Sequence, residues 1–127
     1  MKNVAIVAGS RTFNDYELLR RTMLEKFDLD EDELIIISGT AKGADTLGEQ
    51  FAEEYNLNLI RMPADWKQFG KYAGFRRNIE MAKKAVEMKA DGYEPHLVAF
   101  WDAKSKGTEQ MISTAEKVHI NTTIVTF

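Results

Sequence analysis

Short apolar runs that do not alternate with polar residues, each followed by an apolar stripe at helical spacing, constrain this chain more than any other feature. Val4-Ala5-Ile6-Val7-Ala8 and Leu34-Ile35-Ile36-Ile37 are of the kind a strand shows when both of its faces are covered. Leu57 to Met62 reads as a third strand ended by Pro63, Leu97 to Trp101 as a fourth, and Ile120 to Phe127 as a closing one. Between them, Tyr16, Leu19, Met23 and Phe27 recur at helical spacing, as do Ala44, Leu47, Gly48, Phe51, Ala52 and Tyr55. Phe75, Ile79, Ala82 and Val86 mark a third helix, widened by Met81, Ala85 and Met88; Met111, Ile112, Ala115 and Val118 mark a fourth.

Strands alternating with helices predict an α/β fold with a mostly parallel sheet and helices on both faces. Right-handed crossovers leave few arrangements, and the strand order 3-2-1-4-5 is the leading one. The 127 residues make one domain, spanning 1–127, with room for a single core. In that order the switch point, where the strand order reverses, lies between strands 1 and 4, and a ligand is expected outside the carboxyl ends of the strands there. The loops after strands 1, 2 and 4 are therefore the ones to read for function, with the Ala64–Gly74 segment placed to fold over them.

Composition narrows the function classes. No apolar run approaches the roughly 20 residues that span a bilayer, and the amino-terminal residues lack a signal-peptide pattern. Without cysteine there is neither a disulfide framework nor a thiolate metal site. His96 and His119 are isolated, so no metal is predicted, and no serine–histidine–acid set is available for acyl transfer. A cytoplasmic protein without membrane contact is the expectation. The net charge of −3 argues against a broad nucleic-acid-binding face, yet Arg11, Lys42, Lys71, Arg76, Lys104 and Lys106 collect in loops after strands, as a local anion pocket requires.

Gly9-Ser10-Arg11 follows strand 1: a glycine for close approach, a hydroxyl, and a guanidinium fork for phosphate or carboxylate. Ser38-Gly39-Thr40-Ala41-Lys42-Gly43-Ala44-Asp45 follows strand 2 and opens a helix, where free N–H groups and the helix dipole favour an anion. Asp45 is placed to hold a ribose hydroxyl or to serve the first helical turn. Trp101-Asp102 at the end of strand 4 leads to Lys106-Gly107-Thr108, a second helix opening that presents N–H groups, a hydroxyl and a lysine. In the fourth segment Trp66 offers a stacking surface, and Arg76, Arg77 and Asn78 start a helix near the pocket. The plain alternatives are a turn capped by Asn14 or Asp15 before the first helix, tight helix–strand packing at Gly39 and Gly43 in the second loop, Thr108 as cap of the last helix, and aromatics that pack the fourth segment onto the sheet.

Taken together, these residues resemble the SLOG superfamily of Rossmann-like domains. Gly9-Ser10-Arg11 and Ser38 to Asp45 look like the G-S-R and S-G-x-A-x-G-x-D motifs of the DNA-processing protein DprA. Lys106-Gly107-Thr108 looks like the P-G-G-x-G-T loop of the LOG phosphoribohydrolases, and Arg77-Asn78-Ile79-Glu80-Met81 is similar to their R-K-x-E-M helix start. The resemblance runs from about residue 3 to about residue 118 and is strongest to the small YspA-like family of bacteria and phages. It implies a pocket lined by Gly9, Ser10, Arg11, Ser38, Gly39, Thr40, Gly107 and Thr108, with Lys42 and Gly43 in the same turn. The implied ligand is a nucleotide or nucleotide-derived signal, such as ADP-ribose, NAD or a cyclic nucleotide, that the protein senses or sequesters. Asp45 or Asp102 would hold the ribose, and Trp66 or Trp101 the base. No cofactor is implied, and by analogy the chain is a homodimer or higher homo-oligomer. The second reading is an N-glycosidase with Arg77, Glu80 and Glu109 as its catalytic set; the third is DprA-like binding of single-stranded DNA. Two positions depart from the resembled motifs. Met111 stands where the LOG enzymes carry a catalytic glutamate, and Glu49 where DprA carries a histidine.

Overall fold

Strand β1 (Lys2–Gly9) runs through the middle of a five-stranded sheet, and its residues face alternately two separate hydrophobic cores. The computed structural model describes all residues from Met1 to Phe127. After β1 the chain forms α1 (Tyr16–Lys26), β2 (Glu33–Ser38), α2 (Ala44–Glu54) and β3 (Asn58–Arg61). A short helix α3 (Trp66–Phe69) and a 3-10 turn (Gly70–Tyr72) lead into α4 (Ala73–Glu87). A second 3-10 turn (Met88–Asp91) precedes β4 (Tyr93–Trp101), α5 (Lys106–Lys117) and β5 (Asn121–Thr126).

The sheet order is β3-β2-β1-β4-β5, the order expected from the sequence, and every neighbouring pair is parallel. Val4, Ile6, Ala8, Ile35, Ile37, Leu97 and Ala99 turn to one face, where Met81, Ala82 and Ala85 of α4 and Met111, Ile112 and Ala115 of α5 cover them. Ala5, Val7, Leu34, Ile36, Val98 and Phe100 turn to the other, under Leu19 and Met23 of α1 and Phe51 and Ala52 of α2. Two covered faces explain why these strands read as continuous apolar runs. Each fully buried Leu or Ile contributes about 1.5–3 kcal/mol by removal from water.

β4 and α4 differ from the sequence expectation, and helix α3 forms in the Ala64–Gly74 segment where no helix is expected. β4 begins at Tyr93 rather than at Leu97, because Pro95 and His96 break the apolar run without breaking the strand. Pairing with β5 starts only at His96, so Pro95 lies where β4 has a single neighbour and a missing N–H is tolerated. In α4 the buried residues are Ala73, Asn78, Met81, Ala82 and Ala85, while Phe75 and Ile79 are 44% and 45% exposed. The expected stripe through Phe75 and Ile79 is thus rotated to the outside. Small alanines and Met81 face the sheet instead, and the alanines admit closer approach to it. No helix is long and apolar enough to cross a membrane.

Candidate anion-binding cleft

All strands being parallel, the loops after β1, β2 and β4 emerge at the same end of the sheet, and one buried serine ties them together. Ser10, 1% exposed, donates its N–H to the Phe100 carbonyl (2.9 Å), and its own carbonyl accepts from Phe13 (3.1 Å) and Ala44 (3.4 Å). Its Oγ accepts the N–H of Asp102 (3.1 Å). The neighbouring glycines permit this closeness. A Cβ on Gly9 would fall 2.2 Å from the Phe100 carbonyl oxygen, and one on Gly43 would fall 2.4 Å from that of Ser10. Gly43 also has φ +81°, a conformation that L side chains rarely adopt.

Between these loops lies a cleft of about 420 Å³. Gly9, Ser10 and Arg11 line it from the first loop, Asp45 from the second, Asp102, Gly107 and Thr108 from the third. Trp66, Arg77 and Asn78 close it from α3 and α4. Three helices begin at this cleft: α2 at Asp45, α4 beside Gly74 and Phe75, and α5 at Gly107 and Thr108. Gly43 before α2 and Tyr72 before α4 supply no side-chain cap, so the positive ends of those helix dipoles lack a capping side chain. Arg11, Lys71 and Arg77 add three cations, against the carboxylates of Asp45 and Asp102.

Those two carboxylates are in opposite states of stress. Burial pushes the Asp45 carboxyl up to about 6, opposed by the Ala41 N–H that donates to it (3.2 Å) and by the charge of Arg77. Asp102 is held below its ordinary value because its Oδ1 accepts the N–H groups of Ser105 (2.8 Å) and Lys104 (2.9 Å). Asp102 therefore shapes the third loop as an Asx turn. Burial lowers Arg77 from its ordinary value, with Asp45 opposing, and a guanidinium so placed keeps its charge at neutral pH. Arg77 Nη1 donates to the Gly39 carbonyl and its Nε to Asn78 Oδ1 (3.0 Å). Asn78 in turn donates to Gln110 Oε1 (2.8 Å) and the Gly107 carbonyl (3.2 Å), fixing the start of α5 against α4.

Other sequence candidates lie outside the cleft lining. Ser38 is fully buried and bonds Glu49 Oε2 (2.7 Å) and the Thr40 N–H (3.0 Å), shaping the second turn from within. Gly39 contributes its carbonyl to Arg77, while Thr40 holds a left-handed φ of 65° at the turn. Lys42 is exposed beside Gly43. Trp101 packs against the α4–α5 core and donates its indole N–H to the Ser105 carbonyl (3.1 Å), so its ring braces the third loop. Lys106 is exposed and lies 4.0 Å from Glu109. Arg76 and Glu80 line a neighbouring cleft of about 390 Å³, which shares Arg77 with the first. Ser105 caps α5 through its Oγ, a role assigned above to Thr108; a serine one residue before a helix was the available sign. Thr12, Ala41, Lys71, Phe75 and Met111 also line the first cleft. No three His, Asp or Glu side chains come together as a metal site would need.

The comparison with known families decides what this frame is. The model of the YspA, cpYpsA-related SLOG family matches residues 4–69. The chain belongs to this family. The matched SLOG segment carries β1 to α3 with the first two loops and Trp66, while the third loop and α4 lie beyond it. This SLOG protein is 28% identical over 120 residues to the Gene 61 protein of Mycobacterium phage D29, covering 91% of this chain and 90% of that one. No solved structure matches the chain significantly.

Proposed function

We propose that this SLOG protein binds a phosphate-bearing, nucleotide-derived small molecule in the switch-point cleft and acts by sensing or sequestering it. The observation that carries the reading is the meeting of three helix amino termini with Arg11, Lys71 and Arg77 around one cleft. An anion there would meet the positive ends of helix dipoles and guanidinium groups in a partly desolvated setting. The cleft volume of about 420 Å³ falls among those of small-molecule sites. Trp66 and Phe75 at its rim supply faces on which a base can stack.

Catalysis of N-glycosidic cleavage has less support. Met111, a thioether, lines the cleft at the position that holds a glutamate in the resembled hydrolases. Glu80 lies in the neighbouring cleft, and Glu109 is exposed and paired with Lys106. Family membership together with the phage relative favours a nucleotide-related role and leaves the ligand to be identified.

Incubation with AMP, NAD and ADP-ribose, read by thermal shift and by chromatography for released base, tests the reading. A raised melting temperature with the ligand recovered intact is the expected result. Release of a base at a rate abolished by Glu80→Gln would overturn it in favour of the hydrolase. No shift with any phosphate compound would overturn both.

A further inference from the structure

The segment from Asp65 to Tyr72, which carries α3 and the first 3-10 turn, buries no residue. Phe69 is half-buried and all the others are exposed, Trp66 by 51% and Tyr72 by 64%. Its hydrogen bonds are local. Asp65 Oδ1 accepts the N–H of Gln68 (3.1 Å), the Asp65 carbonyl that of Phe69 (3.0 Å), and the Trp66 carbonyl that of Gly70. Asp65, Lys67 and Lys71 enter no ion pair. A segment with so few buried contacts moves away from its neighbours at small cost in free energy.

Two contacts hold it, and each borders a cavity. The Trp66 ring lies over Gly74, where a Cβ would stand 3.5 Å from Trp66 Cη2, and Trp66 lines the first cleft. On the other side Phe69 lines the neighbouring cleft, with the Arg76 guanidinium 4.3 Å from its ring centre. Open volumes of about 420 and about 390 Å³ thus border the short helix. Packed cores hold elements in place because no such space is left around them. At its downstream end Gly70 has φ +55°, and a Cβ there would meet nothing within 4 Å. A glycine in open space is a pivot that absorbs changes of φ and ψ.

Trp66 and Lys71 are the residues of this segment that line the first cleft, and both are largely exposed to water. An ammonium in water attracts an anion weakly; expelling that water strengthens the attraction several-fold. We infer that Asp65–Tyr72 is a strap that closes over the first cleft, carrying Trp66 and Lys71 onto a bound anion as Phe69 swings away from the neighbouring cleft. That cleft is the clearance for the movement and needs no ligand of its own. The Arg76–Phe69 contact belongs to the open position and is given up on closing.

This rests on the binding role proposed above, and the test separates the two. The chain has no cysteine, so Lys67→Cys on the strap with Glu116→Cys on α5, both exposed, takes two spin labels and no others. Distances between them are measured by pulsed electron paramagnetic resonance in the free protein and with AMP or ADP-ribose at saturation. Calorimetry on the labelled and wild-type proteins registers binding. A broad distribution is expected in the free protein. With ligand it should narrow and shift by more than about 2 Å. Gln68→Cys with Glu116→Cys should repeat the result, with circular dichroism checking that each labelled protein is folded. The same distribution with and without a ligand that calorimetry shows to be bound overturns the strap and spares the binding role. Absence of binding by both ligands overturns the binding role and the strap with it.

Discussion

Asp45 and Arg77 both close on Gly39, whose missing side chain leaves them the room. A Cβ at Gly39 would stand 2.8 Å from Asp45 Oδ2 and 2.7 Å from Arg77 Nη1. A buried carboxyl, a half-buried guanidinium and a backbone carbonyl are thus gathered at one point of the cleft wall, held by α2, α4 and the turn after β2.

Gly39→Ala is therefore expected to weaken binding more than folding. The atoms that the new methyl meets are the ends of two side chains, which can swing aside into the cleft. Arg77 would leave the position in which it faces an anion. Affinity for ADP-ribose should fall about tenfold or more, with the unfolding free energy lowered by about 1 kcal/mol or less. A large loss of stability with unchanged affinity would place Gly39 in the scaffold alone.

Gly43→Ala should do the reverse. Here the Cβ would meet backbone, the Ser10 carbonyl oxygen at 2.4 Å and Arg11 Cα at 2.7 Å, and φ is +81°. Neither can relax without moving the first loop off the second. A loss of about 2–4 kcal/mol in denaturant unfolding is expected, large for one added methyl.

Much of this was legible in the chain itself, for a physical reason. Strands covered on both faces must be apolar at every position, so Val4 to Ala8 and Leu34 to Ile37 announce a parallel sheet, and its switch point then indicates which loops to read. What stayed hidden is what depends on rotation about an axis. Apolar residues wrap more than half of α4, and only packing against the sheet decides that Asn78, Met81 and Ala85 turn inward and Phe75 outward. Trp101 has the strand parity of Leu97 and Ala99, which sends its ring to the α5 side instead of the cleft. The second cleft joins residues after β3 to residues on α4, a contact that no local pattern announces.

The raised carboxyl of Asp45 makes binding depend on pH. Above about 6 it is ionised, opposing an incoming anion and competing for Arg77; below, it is neutral. An anion bound beside it favours the protonated form, so binding takes up a proton and affinity rises as pH falls. ADP-ribose suits the measurement because its pyrophosphate charge is constant here. Its affinity should increase on going from about pH 8 to about pH 5.5, and Asp45→Asn should flatten the profile. Stability follows the same group. Its pKa is higher folded than unfolded, so its favourable contribution is complete below the unfolded value of 3.8 and lost as pH rises through about 6. Asp45→Asn should accordingly stabilise the protein by up to about 3 kcal/mol at alkaline pH relative to pH 4. An equal effect at both pH values would contradict the assignment.

At the opposite end of the sheet, His96 should act with the opposite sign. It is 8% exposed, Nε2 pairs with Asn3 Oδ1 (3.0 Å), and Nδ1 has no partner. Phe27 packs edge-on against its ring at 5.0 Å. Burial lowers its pKa from 6.5; Lys26 lowers it further and Glu94 opposes. The folded protein thus holds the imidazole neutral where the unfolded chain would protonate it. Below about 6.5 the unfolded state takes up the proton, and stability is lost as the solution is acidified. His96→Gln retains a donor for Asn3 and does not titrate. Urea unfolding of both proteins between about pH 8 and about pH 5 isolates the contribution of His96 from that of Asp45, which both proteins share. The wild type should lose stability relative to the variant as pH falls, with most of the change below 6.5. Parallel profiles across that range would mean that the buried ring accepts its proton as readily as an exposed one.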